Sequence, residues 1–134
     1  MNNGFRGYVS SRPFLGHRAP QHIQNLVIRD YCQRHQLNFL LSVTEYAMPN
    51  CFMMLEQVIQ ELPDLQGAIL YSLFQLPKNK QKRQSIYQHF VQDNKSVHFA
   101  VENFKIESVD DIQSIEDIWQ VKLTLPGCFG TGTK

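Results

Sequence analysis

The sequence predicts a small three-layer α/β/α sandwich around a central, mostly parallel, four-stranded sheet. Strand-length apolar runs alternate four times with helically spaced apolar segments, and parallel strands joined by helices need right-handed crossovers that place helices on both faces. A length of 134 residues with 43% apolar and 19% charged residues suits one domain that buries one continuous core. The expected domain spans residues 1–125, and the glycine-rich residues 126–134 are expected to form a flexible tail.

Phe5–Ser10 is β-prone and breaks into a turn-rich stretch ending at Pro20, which reads as a strand and a long connection. Ile23, Leu26, Val27, Tyr31 and Cys32 then recur at helical spacing up to about His35, predicting a first helix with that stripe inward. Leu37–Val43 is an apolar run of the kind found in a buried parallel strand. A second helix follows through Phe52, Met53, Leu55, Val58, Ile59 and Leu62, with Asn50 as N-cap and Pro63 as stop. Gly67–Leu73 reads as the third strand. The third helix runs from Pro77 to Gln92, with Ile86, Tyr87, Phe90 and Val91 on its buried side. Val97–Val101 is the fourth strand. Ser108–Leu123 is the fourth helix, with Asp110 and Asp111 in the first turn, where carboxylates complement the helix dipole.

Thirteen basic and twelve acidic residues leave a formal net charge of +1, which supplies no general field for nucleic acid or anionic lipid. The one dense basic run, Lys78, Lys80, Lys82 and Arg83, reads as a solvated first helical turn. Cys32, Cys51 and Cys128 have neither CxxC nor Cys/His spacing, so no disulfide framework or zinc site is expected, and a reducing, cytoplasmic setting fits. No apolar run reaches the ~20 residues of a bilayer span. The histidines, His17, His22, His35, His89 and His98, lack metal-ligand spacing. His17, in the first strand-to-helix connection, is a lone candidate for proton transfer. Neither GxGxxG, GxxxxGK[ST] nor GxSxG occurs, so no cofactor is expected and ordinary dinucleotide, Walker-type and serine-hydrolase chemistry are disfavoured.

In open α/β sheets ligands bind outside the carboxyl ends of the strands. Those ends carry Ser10, Ser11 and Arg12 after the first strand, Thr44, Glu45 and Tyr46 after the second, Ser72 and Gln75 after the third, and Glu102 and Asn103 after the fourth. Two hydroxyls followed by arginine suit a phosphate or carboxylate, because hydroxyls donate singly and the guanidinium offers a planar fork. Ser11, Arg12, Tyr46, Ser72 and Gln75 are therefore candidate ligand-binding residues, and Ser10, Glu45 and Glu102 candidate catalytic ones. The two glutamates would serve as acid and base if they meet in one cleft. The alternative for each is a solvated glutamate or a helix cap.

The words Gly7-Tyr8-Val9-Ser10-Ser11, followed by Gln21 and Gln24, resemble the opening of a serine recombinase catalytic domain, in which a serine ends the first strand. The resemblance implies a resolvase-like or flavodoxin-like fold with Ser10 at the nucleophile's position. The family's arginines do not carry over: Tyr8 precedes Val9, Asn50 precedes the second helix, and Ser72-Leu73-Phe74-Gln75-Leu76-Pro77 replaces an Asp-Arg-Leu-x-Arg pattern. Phosphoryl transfer on DNA needs those cations, so recombination and nucleic-acid binding are not expected, although a degenerate DNA-binding domain is an alternative.

From Gly4 to Leu123 the chain is more closely similar to the sporadic carbohydrate cluster family, encoded in bacterial surface-polysaccharide loci. The words that carry this are Gly7-Tyr8-Val9-Ser10-Ser11-Arg12-Pro13-Phe14, Pro20-Gln21-His22-Ile23-Gln24-Asn25-Leu26-Val27-Ile28-Arg29-Asp30-Tyr31-Cys32, Thr44-Glu45-Tyr46-Ala47-Met48 and Leu70-Tyr71-Ser72-Leu73-Phe74-Gln75-Leu76-Pro77. The resemblance implies a role in making or modifying lipopolysaccharide or another glycan, and it brings no established catalytic residues. The expected ligand is a sugar phosphate or nucleotide sugar at the strand-end rim. The alternative is an accessory subunit of a glycan-biosynthesis enzyme. A homodimer is expected through Ile115, Ile118 and Trp119 on the last helix, residues that could equally cover the sheet.

Overall fold

The computed structural model describes residues 4–10, 19–45 and 52–124. They form an α/β fold with the sheet order β2-β1-β3-β4-β5. In chain order the elements are β1 (Phe5–Ser10), α1 (Gln21–Arg34), β2 (Phe39–Glu45), α2 (Met53–Gln60), β3 (Gly67–Leu70), α3 (Lys80–Gln92), β4 (Ser96–Phe99), β5 (Phe104–Ile106) and α4 (Val109–Thr124), with 3-10 turns at Leu62–Asp64 and Leu73–Gln75. The β1/β2, β1/β3 and β3/β4 pairs are parallel.

The sheet has five strands rather than four. β5 is a three-residue antiparallel edge in which Ile106 pairs Val97 and Phe104 pairs Phe99. Three residues are too few for a period-two pattern to show in a sequence, and Asn103, at φ 54, makes the tight return from β4. The predicted N-cap Asn50 lies outside the described residues. So do Cys51, Cys128 and the predicted tail.

Alternation along the strands sorts the core into two. Tyr8, Ala68, Leu70, Val97, Phe99 and Ile106 pack with α2, α3 and α4, whereas Phe5, Val9 and Ile69 pack with α1. Three helices thus share one face and a single helix covers the other. β3 and β4 approach so closely that a Cβ on Gly67 would overlap the Ser96 carbonyl, which makes glycine obligatory there.

Two expectations about helix faces need correction. In α1 the buried residues are Gln24, Ile28, Tyr31 and Cys32, while Ile23 and Leu26 are 38% and 58% exposed. The inward stripe is therefore rotated by about one residue and contains a glutamine that an apolar count passes over. In the basic run Lys78, Lys80 and Lys82 are exposed, but Arg83 is buried. Its Nε and Nη2 each donate to Glu116 at 2.8 Å, Nη1 donates to the Lys78 carbonyl at 2.7 Å, and Tyr87 donates its hydroxyl to Glu116 at 2.7 Å. The guanidinium lies 4.4 Å over the Trp119 ring. Burial opposes ionisation of Glu116, yet the hydrogen bonds from Arg83 and Tyr87 outweigh it and hold the carboxyl below its ordinary value. Ile115 and Trp119 are themselves core residues with Ile118 packed beside them, so they cover the sheet.

Candidate functional site

The chain leaves β1 toward β2 on one side and leaves β3 toward β4 on the other, so the β1/β3 boundary is the topological switch point, where open α/β sheets form a crevice. Ser10 ends β1 there, and Ser72 and Gln75 follow β3.

The switch point is organised around Gln24, which is fully buried. Its Oε1 accepts the Ser10 backbone N–H at 3.1 Å, and its Nε2 donates to the Ser10 carbonyl at 2.7 Å and to the Ala19 carbonyl at 2.8 Å. One amide therefore ties Ser10, at the end of β1, to Ala19, just before α1. The same Oε1 accepts a hydrogen bond from Gln75 Nε2 at 2.9 Å. Gln75 Oε1 accepts the Ser72 N–H at 3.3 Å, completing a capping box in which Ser72 Oγ accepts the Phe74 N–H at 3.2 Å. Ser72 Oγ donates to Glu102 Oε2 at 2.8 Å, and Glu102 Oε1 accepts the Leu73 N–H at 3.0 Å. A continuous chain of hydrogen bonds thus runs from the end of β1 through α1 and the turn after β3 to the loop after β4.

Glu45 stands beside this chain. It pairs with Ser10 in the β1/β2 register and is fully buried. Its Oε1 accepts the Tyr8 hydroxyl at 2.9 Å and the Leu55 N–H at 3.3 Å, and Oε2 accepts the Met54 N–H at 3.0 Å. Phe52 occupies the N-cap of α2 without a side-chain cap, so the carboxylate of Glu45 takes the amides that a capping residue would take. Carboxylates are favoured there by the helix dipole as well as by the hydrogen bonds. Glu45 and Glu102 share the carboxyl edge, and each anchors a helical N-terminus.

Ser10, Ser72, Gln75 and Glu102 are therefore brought together, and Glu45 flanks them. Ser11, Arg12, Tyr46 and His17 lie outside the described residues. Gln24 entered the sequence reading only as a glutamine after the first strand in the recombinase resemblance, with no role of its own. The signal that could find it is a glutamine four residues before Ile28 and seven before Tyr31, inside the buried stripe of α1, since a polar residue in such a stripe has a fixed partner.

A second polar group sits on the α1 face. His98 of β4 is buried, with Nδ1 2.7 Å from the Tyr31 hydroxyl and Nε2 3.0 Å from Ser96 Oγ. Burial, aided by Lys105 and His35, pushes the His98 pKa down to about 4. The ring is neutral at ordinary pH, with one nitrogen donating and the other accepting. Burial likewise pushes the Cys32 thiol up to about 11. Among the described residues no three His, Cys, Asp or Glu side chains gather as a metal site would require, and no helix is long and apolar enough to cross a membrane.

No family model, curated protein or solved structure matches the chain.

Proposed function

We propose that the chain is a small protein of bacterial surface-carbohydrate biosynthesis that binds or modifies a phosphorylated or nucleotide-activated sugar at the carboxyl edge of its sheet. The observation that carries this reading is the hydrogen-bond chain through Ser10, Gln24, Gln75, Ser72 and Glu102 at the switch point, which holds these polar groups in fixed positions. A ligand site works when its supporting groups are held before the ligand arrives. Gln24 holds Ser10 and Ala19, and next to Ser10 in the sequence come Ser11 and Arg12, residues whose chemistry suits the phosphate. Glu102, half-buried, offers a carboxylate of the kind that sugar hydroxyls recognise, held in place by the Ser72 hydroxyl and the Leu73 N–H. Glu102 is partly exposed whereas Glu45 is wholly buried, so Glu102 is the carboxylate assigned to proton transfer and Glu45 the one that anchors α2. The resemblance to the sporadic carbohydrate cluster family supplies the biological setting.

Thermal unfolding against nucleotide sugars, sugar phosphates and free acidic sugars tests the reading. A ligand at 100 times its Kd adds about 2.7 kcal/mol, a shift of several degrees for a domain of this size. One ligand class is expected to raise the midpoint, and Arg12→Ala to remove the effect. No shift with any class would overturn the proposal.

A second reading, an accessory subunit or homodimer, is favoured by Ile23 and Leu26, which α1 turns outward. It predicts that Leu26→Glu lowers the sedimentation coefficient or releases a partner without altering the thermal midpoint.

A further inference from the structure

Away from the switch point, α2 and α3 enclose a groove of about 430 Å3, within the size range of small-molecule sites. Its apolar lining is made by Leu55, Pro77 and Ile86, all buried, and by Phe52 and Ile59, which are half-buried. The walls differ in charge. Glu56 and Gln60 line it from α2, and Lys82, Ser85 and His89 line it from α3. All five are exposed, and among the described residues none has a side-chain hydrogen bond or ion-pair partner. Glu56 and Lys82 belong to the first turns of their helices, and both helices start from the carboxyl edge, so the anion and the cation stand toward the same end of the groove on opposite walls. They are not paired with one another.

A purely anionic ligand would meet Glu56, a purely cationic one would meet Lys82, and a fully polar one would leave the apolar lining wet. A small molecule with an ammonium and a carboxylate at one end and an apolar body at the other satisfies all three constraints. We propose that the α2–α3 groove is a second ligand site, which takes a free apolar α-amino acid: its ammonium on Glu56, its carboxylate on Lys82, and its side chain along Leu55, Ile59 and Ile86. Gln60, Ser85 and His89 lie further along the helices than the charged pair and provide polar groups around the side chain. The proposal does not depend on the sugar site, because no residue of the groove belongs to the Ser10–Gln24–Gln75–Glu102 chain.

The test is a titration followed by amide chemical shifts in 15N-labelled protein. L-Leucine and L-phenylalanine are the probes, and 4-methylpentanoate, leucinamide and glycine are analogues lacking the ammonium, the carboxylate and the apolar body. The amino acids are expected to shift the amides of residues 55–60 and 82–89 saturably, and each analogue to bind at least about tenfold more weakly, as the loss of one charge-assisted contact or of the buried body predicts. Glu56→Lys and Lys82→Glu, both at exposed positions, are each expected to abolish the shifts, and the double swap to restore them. Absence of shifts up to the solubility of the amino acids, equal binding of the analogues, or shifts confined to other elements would overturn the proposal.

Discussion

At the scale of single residues, the decisive groups are buried polar side chains whose partners are all specified. Gln24→Leu removes the acceptor for Ser10 and Gln75 and the donor for two carbonyls. It is expected to cost about 2–4 kcal/mol in urea unfolding, because each buried group left unpaired carries its own desolvation penalty. Glu45→Gln keeps an acceptor oxygen but loses the charge at the start of α2 and is expected to cost about 1–2 kcal/mol. A variant that kept full stability and lost function would instead give Glu45 a chemical role. His98 makes stability depend on pH. Its pKa is about 4 in the fold against about 6.5 in the unfolded chain, so the unfolded state binds the proton first. The stabilisation is fully present above pH 6.5 and is lost as pH falls through 4, by about 3 kcal/mol for the whole shift. Urea midpoints between pH 7 and pH 4 are expected to fall, and His98→Gln to flatten part of that slope. At this scale the sequence marked Ser10, Ser72, Gln75 and the two glutamates as rim residues by position alone. The helix cap given as the alternative for Glu45 is what the structure shows at α2; the sequence did not favour it over an acid-base role, because the cap comes from the preceding strand and not from the residue next to the helix.

At the scale of elements, α3 is fastened to α4 by Arg83, Glu116 and Tyr87. Arg83→Met strands a buried carboxylate and is expected to cost about 3–5 kcal/mol, whereas Arg83→Met/Glu116→Leu is expected to recover most of that loss, since a buried ion pair can be exchanged for apolar packing at little net cost. Guanidinium unfolding of the two variants measures the difference. All four helices and the four parallel strands were legible in the sequence, because apolar runs and three-and-four spacing survive in the primary structure. Their edges were less so. Gly67–Leu70 ends before the predicted Leu73 because Ser72 opens a 3-10 turn, and β2 runs on to Glu45 because its end carries a polar side chain that is paid for by the amides of α2. The face of α1 was misplaced for the related reason that Ile23 and Leu26 are apolar yet exposed while Gln24 is polar yet buried. A basic run likewise hid Arg83, whose carboxylate partner lies 33 residues away in the sequence.

At the scale of the molecule, the fold is lopsided: α2, α3 and α4 share the larger core, α1 alone covers the other face, and the polar chain built on Gln24 crosses the edge between them at the switch point. That arrangement explains why a short domain without a glycine-rich phosphate loop can still present a preorganised carboxyl edge. We propose that this edge receives an activated sugar. The most direct test follows the side-chain NH2 signals of Gln24 and Gln75 in 15N-labelled protein during titration with a nucleoside diphosphate sugar and with the corresponding sugar 1-phosphate. The account predicts that these two signals and the amides of Ser72 and Leu73 move together and saturate with one of the two compounds, and that Arg12→Ala weakens the response. If both glutamine signals stay fixed while the compounds reach saturating concentrations, or if the shifts fall on other elements, the carboxyl edge is not the site.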